Sequence, residues 1–248
     1  TLDALLINET QLTRYFDEEL FNHMPSEVQT FLLKTSLLSE LTPYLCAEVT
    51  AQTNAQETLD FLARNQIFTM NLDAEGTHYR YHSLFAGYLQ KRLQRENPHW
   101  IKDVHDRAAA CYLAQHDPTR AIEHLLRSGD FEQVNDLITR VANGMIMQGS
   151  HATLGRWLET LPATVMSQNA QLCLVYAWVL FSRGRLDQAE HMLTNASTHI
   201  GDPKRSAVAS ALLGEIDVLR SQISHLNGEY IHAIEQAQQS LDLLPREP

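Results

Sequence analysis

The apolar positions of the first 65 residues recur at helical spacing. Leu12, Tyr15, Phe16, Leu20 and Phe21 predict a first helix, with the acids Asp17, Glu18 and Glu19 beside them. Pro25, Ser26 and Glu27 open a second, whose core face reads Val28, Phe31, Leu32, Ser36 and Leu37. A third starts near Thr42-Pro43 and carries Leu45, Val49 and Ala51. Asn54 caps a fourth with Leu59, Leu62 and Ala63. The period then changes. Ile67 to Met70 and Tyr79 to Tyr81 are β-prone, and Asp73-Ala74-Glu75-Gly76 between them has turn chemistry. Helices followed by one small hairpin predict a winged helix with a short wing.

The stretch from Thr77 to Leu93 holds the sharpest change of period. Thr77, Tyr79 and Tyr81 alternate as in a strand, while Leu84, Phe85, Tyr88, Leu89 and Leu93 share a helical face. His82 and Ser83 lie at the junction. Ser83 is placed to cap the new helix, and a histidine at a helix N-terminus stands beside a ready-made anion site.

From Asn97 onward every segment is helical. Trp100, Val104, Ala108 and Cys111 form one face of a long helix. Ala177, Leu180, Gly184, Ala189, Leu193 and Ala196 fit the small-residue spacing of a tetratricopeptide repeat, in which a helix pair packs closely about a tight turn. Ala109, Tyr112, Ala121, Leu125 and Ser128 fit it again, with His116 where glycine is usual. Gly228, Ala233, Ala237 and Pro245 give a third match. Gly184 and Gly228 are 44 residues apart, which predicts a longer-pitched array than the standard 34-residue repeat. Phe131, Val134, Leu137 and Ile138 mark another amphipathic helix. Leu154, Trp157 and Leu158 mark a short one ending at Leu161-Pro162. The expected fold is therefore mostly α: a winged-helix domain over residues 1–97, then an incomplete tetratricopeptide-like solenoid over residues 98–248.

Charge narrows the function. The net charge is −11, distributed as −6 over residues 1–97 and −5 over the remainder. Neither part has the basic footprint of a nucleic-acid binder. Cys46, Cys111 and Cys173 are odd in number and far apart, which predicts reduced, buried thiols and a cytoplasmic protein. No apolar run is long enough to span a bilayer. A chain that opens on Thr and stops after a helix reads as an excised piece of a longer protein. Asp17, Glu18 and Glu19 read as a solvated face. Lys91, Arg92 and Arg95 read as cations favoured by the helix C-terminus. His78 and His82 have the H-x-x-x-H spacing of metal ligands, but straddle strand and helix and share no face. No nucleophile motif occurs, and no G-x-x-x-x-G-K-[ST] phosphate loop.

The order of the signals resembles a known family. Leu12-x-x-Tyr15-Phe16-x-x-Glu19-Leu20, then Pro25, Phe31-Leu32-Leu33-x-Thr35-Ser36-x-Leu38, Leu45-Cys46 and above all Arg80-Tyr81-His82-Ser83-Leu84-Phe85 resemble the LuxR-type ATP-dependent transcription regulators, the MalT-like group of signal-transduction NTPases. Leu125-Leu126-x-Ser128-Gly129-Asp130 and Trp157-Leu158-x-x-Leu161-Pro162 resemble that family's helical repeats. The resemblance runs from about Leu12 to Pro245. It implies an upstream P-loop NTPase domain in the same chain, a sensor function for the repeats, and a C-terminal helix-turn-helix that binds DNA. It also implies binding and slow hydrolysis of ATP by the whole protein, and self-association on activation. The histidine of the family's winged-helix H-x-L motif contacts an ADP phosphate, and His82 matches it. Relatives often carry Asp where this chain has Ser83, which leaves no separate role for that position.

The part in hand is then not itself an enzyme and holds no cofactor of its own. The alternative is a stand-alone scaffold whose repeats bind a protein or peptide. Arg80 reads as a solvated wing residue with a phosphate partner as the competing role. Tyr176, Trp157 and Trp178 read as repeat core, with contact to a ligand ring in the concave face as the alternative.

Overall fold

The computed structural model describes residues 11–202 and 206–244. By its contacts the chain divides into two compact units, Thr1–Gly129 and Asp130–Pro248.

In the first unit, helix α1 is described from residue 11 to 15 and widens into a π-helical turn at Phe16–Leu20. A 3₁₀ turn, Phe21–His23, follows. Next come α2 (Ser26–Thr35), α3 (Pro43–Thr50), α4 (Ala55–Arg64), strands β1 (Thr69–Asn71) and β2 (Tyr79–Tyr81), and α5 (Ser83–Glu96). Thr42 caps α3, its hydroxyl accepting from the Leu45 N–H at 3.2 Å, with Pro43 at the first helical position. Asn54 stands at the start of α4, but its side chain makes no cap bond; its carbonyl accepts from the Thr58 N–H and hydroxyl instead. Of the expected face of α2, Phe31 and Leu32 are buried, as is Ser36 at its C-cap, while Val28 and Leu37 are partly exposed and Leu33 and Thr35 join the core.

The wing is a two-stranded antiparallel hairpin pairing Thr69 with Tyr81, Met70 with Arg80 and Asn71 with Tyr79. Leu41 adds a bridge on the far side of β2, exchanging both backbone hydrogen bonds with Tyr79 at 2.8 Å. β2 is thus flanked on both edges, and its burial alternates around exposed Arg80.

Residues 98–129, assigned from sequence to the repeats, form α6 (His99–Ala114) and α7 (Pro118–Ser128). They pack on each other, and α6 packs on α2, α3 and α5 within the first unit. The turn between α6 and α7 places His116 at φ +59°, a left-handed conformation that costs an L side chain about 1–2 kcal/mol. Between the two helices His105 and His124 are buried with their Nδ1 atoms 2.8 Å apart, and Tyr112 stacks on His124. Nothing in the local sequence pattern marks this pair, whose members lie 19 residues apart.

The second unit comprises α8 (Phe131–Met147), α9 (His151–Thr160), the short α10 (Ala163–Ser167), α11 (Ala170–Ser182), α12 (Leu186–His199), α13 (Ala207–Leu226) and α14 (Tyr230–Leu243). Gly149, Gly184 and Gly228 sit at φ +75°, +71° and +83° in the turns joining α8 to α9, α11 to α12 and α13 to α14. Each turn reverses the chain through the region that glycine alone enters without strain. The reversal residues His116, Gly149, Gly184 and Gly228 are 33, 35 and 44 residues apart. The first two intervals match the standard repeat, so the long pitch is confined to the last, where the 20-residue α13 lies. All of Ala177, Leu180, Ala189, Leu193 and Ala196 are buried at the α11–α12 contact, where their small or compact side chains allow close approach. Pro245, the end of the third match, lies outside the described residues. α11 is apolar around its whole circumference because α8, α9, α12 and α13 all pack against it.

All three cysteines are free and buried. Among the described residues no helix is long and apolar enough to cross a membrane.

Burial holds the His105 imidazole down to about pKa 4 and His124 to about 3, with the Arg127 charge adding to both. The folded pair is neutral where free histidine, at 6.5, begins to protonate. Between roughly pH 6.5 and 4 the unfolded chain therefore binds more protons, so stability is full above the window and falls as pH drops through it. Urea melts at pH 7.5 and pH 5 should show this loss, and a His105→Phe/His124→Phe double variant should flatten it. Separately, His116→Gly should stabilise the chain by about 0.5–1 kcal/mol by relieving the left-handed turn.

Candidate functional site

The junction at His82 is built on an aromatic cluster. Phe16, on the π-helical turn, is 1% exposed and touches Phe68, Phe85 and Tyr88 at centroid distances of 5.1, 5.3 and 5.2 Å. Tyr81 meets Phe85 edge-on at 5.9 Å. Such offset and edge-to-face pairs add to the area they bury. Phe68 belongs to the tight turn that leads into β1, where Gln66 and Phe68 both lie at positive φ, +54° and +46°. The strained turn is held by the Ile67 N–H bonded to the Leu62 carbonyl and by packing of the Phe68 ring on Phe16 and Phe85. The Phe68 carbonyl accepts from the His82 N–H at 2.7 Å, and the two rings meet edge to face at 6.3 Å. His82 is thereby fixed where the hairpin ends and α5 begins.

His82, and not Ser83, is the N-cap of α5. Its Nδ1 accepts from the Leu84 N–H at 3.3 Å, while Ser83 is the first helical residue. With Nδ1 accepting, the neutral ring carries its proton on Nε2, which is then a donor. His82 is exposed, and Leu84 beside it is 58% exposed. The side chain thus stands at the positive end of a 14-residue helix with a donor available to solvent.

The other candidate residues have separate occupations. His78 lies in the hairpin turn, its Nδ1 2.9 Å from Asp73 and its Nε2 3.5 Å from Glu40. Thr77 and His78 hydrogen-bond Asp73 and hold its carboxyl well below the usual carboxylate range. His78 and His82 thus serve different partners, and among the described residues no group of three or more His, Cys, Asp or Glu is arranged to hold a metal. Arg80 is exposed on β2 opposite Met70. Trp157 is 2% exposed between α9 and its neighbours, as core. Trp178 is half-buried and lines a groove of the second unit.

Two readings change. Asp17 is more than a solvated acid, and Arg92 more than a cation at a helix end. The Arg92 guanidinium donates to Asp17 Oδ1 at 2.5 Å and to Glu96 at 3.0 Å, and it lies 4.0 Å over the Phe21 ring. The Tyr88 hydroxyl donates to the same Asp17 oxygen. This clamp ties the π-helical turn to α5. A second hub is Tyr79, whose hydroxyl donates to Asp60 at 2.6 Å and accepts from Gln56 at 3.0 Å. The Tyr79 hydrogen bond is the main reason the Asp60 carboxyl lies below its ordinary range. A tyrosine in a strand signals β-propensity, and nothing in the local sequence names partners 19 and 23 residues away.

The fold is a winged helix followed by tetratricopeptide-like helix pairs, and three comparisons show what it resembles. Residues 17–101 match the family model of the MalT winged helix domain. The chain is 30% identical over 239 residues to the HTH-type transcriptional regulator MalT of Cronobacter sakazakii, a match covering 96% of this chain and 26% of that protein. It is 29% identical, with the same coverage, to MalT of Klebsiella pneumoniae. The chain spans about a quarter of the length of these relatives. Among solved structures it resembles a Pyrococcus horikoshii STAND protein, a signal transduction ATPase with a tetratricopeptide repeat sensor. There the TM-score is 0.65 at 15% identity, over 92% of this chain and 33% of that one. The resemblance to MalT-like regulators read from Arg80 to Phe85 and the motifs around it is thus shown, and it supports a regulatory role.

Removing the clamp should unsettle the junction. Arg92→Ala leaves Asp17 without its cation, and we expect a loss of about 1.5–3 kcal/mol in urea unfolding. Tyr79→Phe should return the Asp60 pKa toward the ordinary carboxylate value, read by NMR titration of the side-chain carboxyl carbon.

Proposed function

We propose that this chain is the switch and the beginning of the sensor of a longer MalT-like transcription regulator. In this reading the winged helix folds onto an NTPase domain of the same protein and contacts the phosphate of bound ADP through His82. The observation that carries the reading is the exposed His82 at the start of α5, with Nδ1 occupied by the Leu84 N–H and the Nε2 proton available to a phosphate oxygen. No phosphate-loop motif lies in the chain, so His82 supplies one half of a site whose other half belongs to the NTPase domain. A charge-assisted hydrogen bond of this kind contributes about 1.5–3 kcal/mol, a bias of about tenfold to a hundredfold toward the closed, ADP-bound form.

A small-molecule inducer or protein on the helix pairs would weaken that closed form. ATP would then replace ADP and the protein would self-associate. DNA would be engaged only by a helix-turn-helix elsewhere in the longer chain, in keeping with the net charge of −11 here. Similarity to regulators named for a helix-turn-helix, and to a STAND fold with a repeat sensor, supports this order of parts.

His82→Ala tests the role. In the longer protein carrying the NTPase domain, we expect ADP to be released about tenfold or more faster and transcription to become partly independent of inducer. The isolated chain should lose no more than about 1 kcal/mol, the scale of one N-cap. Unchanged ADP retention by a purified His82→Ala protein would overturn the assignment.

A further inference from the structure

Helices α8, α11 and α13 of the second unit enclose a groove of two adjoining lobes, about 290 and 210 Å³. Both lobes share Asn143, Ile146, Trp178 and Glu215. Met147 and Val218 complete the first, and Met147 is 89% exposed although apolar. Glu215 is the one charged residue lining either lobe. Two carboxylates on neighbouring helices are paired: Glu159 accepts from Arg183 at 2.7 Å and Glu190 from Arg220 at 3.0 Å. Glu215 has no hydrogen-bond or ionic partner among the described residues. It is reached by solvent, yet the groove walls crowd it enough to push its carboxyl above the ordinary value. Glu215 is exposed at the common wall of the two lobes, where its charge is open to a cationic ligand.

We propose that this groove binds a small organic amine: a protonated ammonium against Glu215, with a flat apolar body held on the Trp178 ring. The chemistry fits on three counts. An ammonium gains both the carboxylate and the face of an indole, the ring that attracts cations most strongly. The lobes suit an aryl-alkyl body, and Asn143 adds a hydrogen-bonding group at their common wall. Residues 130–248 carry a net charge of −5, which favours cations and repels an anion of the same shape. A single carboxylate serves one ammonium and gives no run of sites for a basic peptide. The inference rests on the reading of the helix pairs as a sensor and names the chemical class that this part of the sensor would take.

The test titrates the 248-residue chain with 2-phenylethylamine, followed by calorimetry and by tryptophan emission. Saturable binding is expected, weakened at least tenfold by Glu215→Gln and by Trp178→Leu, with thermal melts confirming that both variants fold. Phenylacetate, the same body with the opposite charge, should not bind. Trp178→Phe should recover part of the affinity, because a phenyl face still attracts a cation more weakly. Absence of saturable binding, equal binding of phenylacetate, or full affinity in Glu215→Gln would each overturn the proposal. So would tighter binding of a lysine-rich peptide at the same residues. The titration contains no nucleotide, so its failure bears on the groove alone, whereas the His82 measurement bears on the nucleotide switch alone.

Discussion

Phe16 is the contact on which the winged helix depends. It lies on a π-helical turn, and that extra width swings its ring inward among Phe68, Phe85 and Tyr88. Burial of this ring holds Phe68 in a left-handed conformation, and the Phe68 carbonyl in turn receives the His82 N–H. The Arg92–Asp17–Tyr88 clamp closes the same turn from outside the cluster. A residue near the start of the described chain therefore sets the position of a histidine more than sixty residues later. Strain in the Gln66–Phe68 turn persists because the aromatic packing outweighs it.

The helix pairs follow a different logic. Each is closed locally by one residue of positive φ, and within the second unit α9 packs on α11 and α12 on α13. His116 shows that glycine is favoured at that turn and not obligatory. The conformation is imposed by packing of Ala109, Tyr112, Ala121 and Leu125, which are buried on either side of it. Histidines also substitute for apolar contacts inside this pair, where His105 and His124 satisfy each other through one shared proton and stay neutral. One unit of the chain is held by long-range aromatic contacts and the other by neighbour-to-neighbour stacking. The first suits a fixed contact point such as His82. The second suits a surface whose grooves can differ from protein to protein while the stack is preserved.

Much of this was legible in the residues. The alternation of Tyr79 and Tyr81 giving way to the helical face of Phe85, Tyr88, Leu89 and Leu93 located the wing and α5, because those periods are local properties of the backbone, whereas Thr77 lies outside the strand and Leu84 is exposed. Gly184 and Gly228 announced their turns. Gly149 lacks the repeat's small-residue signature beside it, and only its positive φ shows that the array keeps near-standard intervals up to Gly184. Ser83 was favoured as the cap on propensity, yet the hydrogen bond at the start of α5 belongs to His82.

What the sequence determined alone was the order of elements, the mostly helical class, the acidic character that argues against direct nucleic-acid contact, and the motif that makes His82 a candidate. Each follows from interactions within about one turn of helix or two residues of strand, or from charge that needs no geometry. Tertiary structure alone decided that Phe16 occupies a π-helical turn, that Arg92 reaches Asp17, that Tyr79 binds Asp60, and that Glu215 and Trp178 line one groove. Those outcomes depend on side chains distant in sequence competing for the same buried space. The winner of that competition is set by shape and desolvation, which no local pattern encodes.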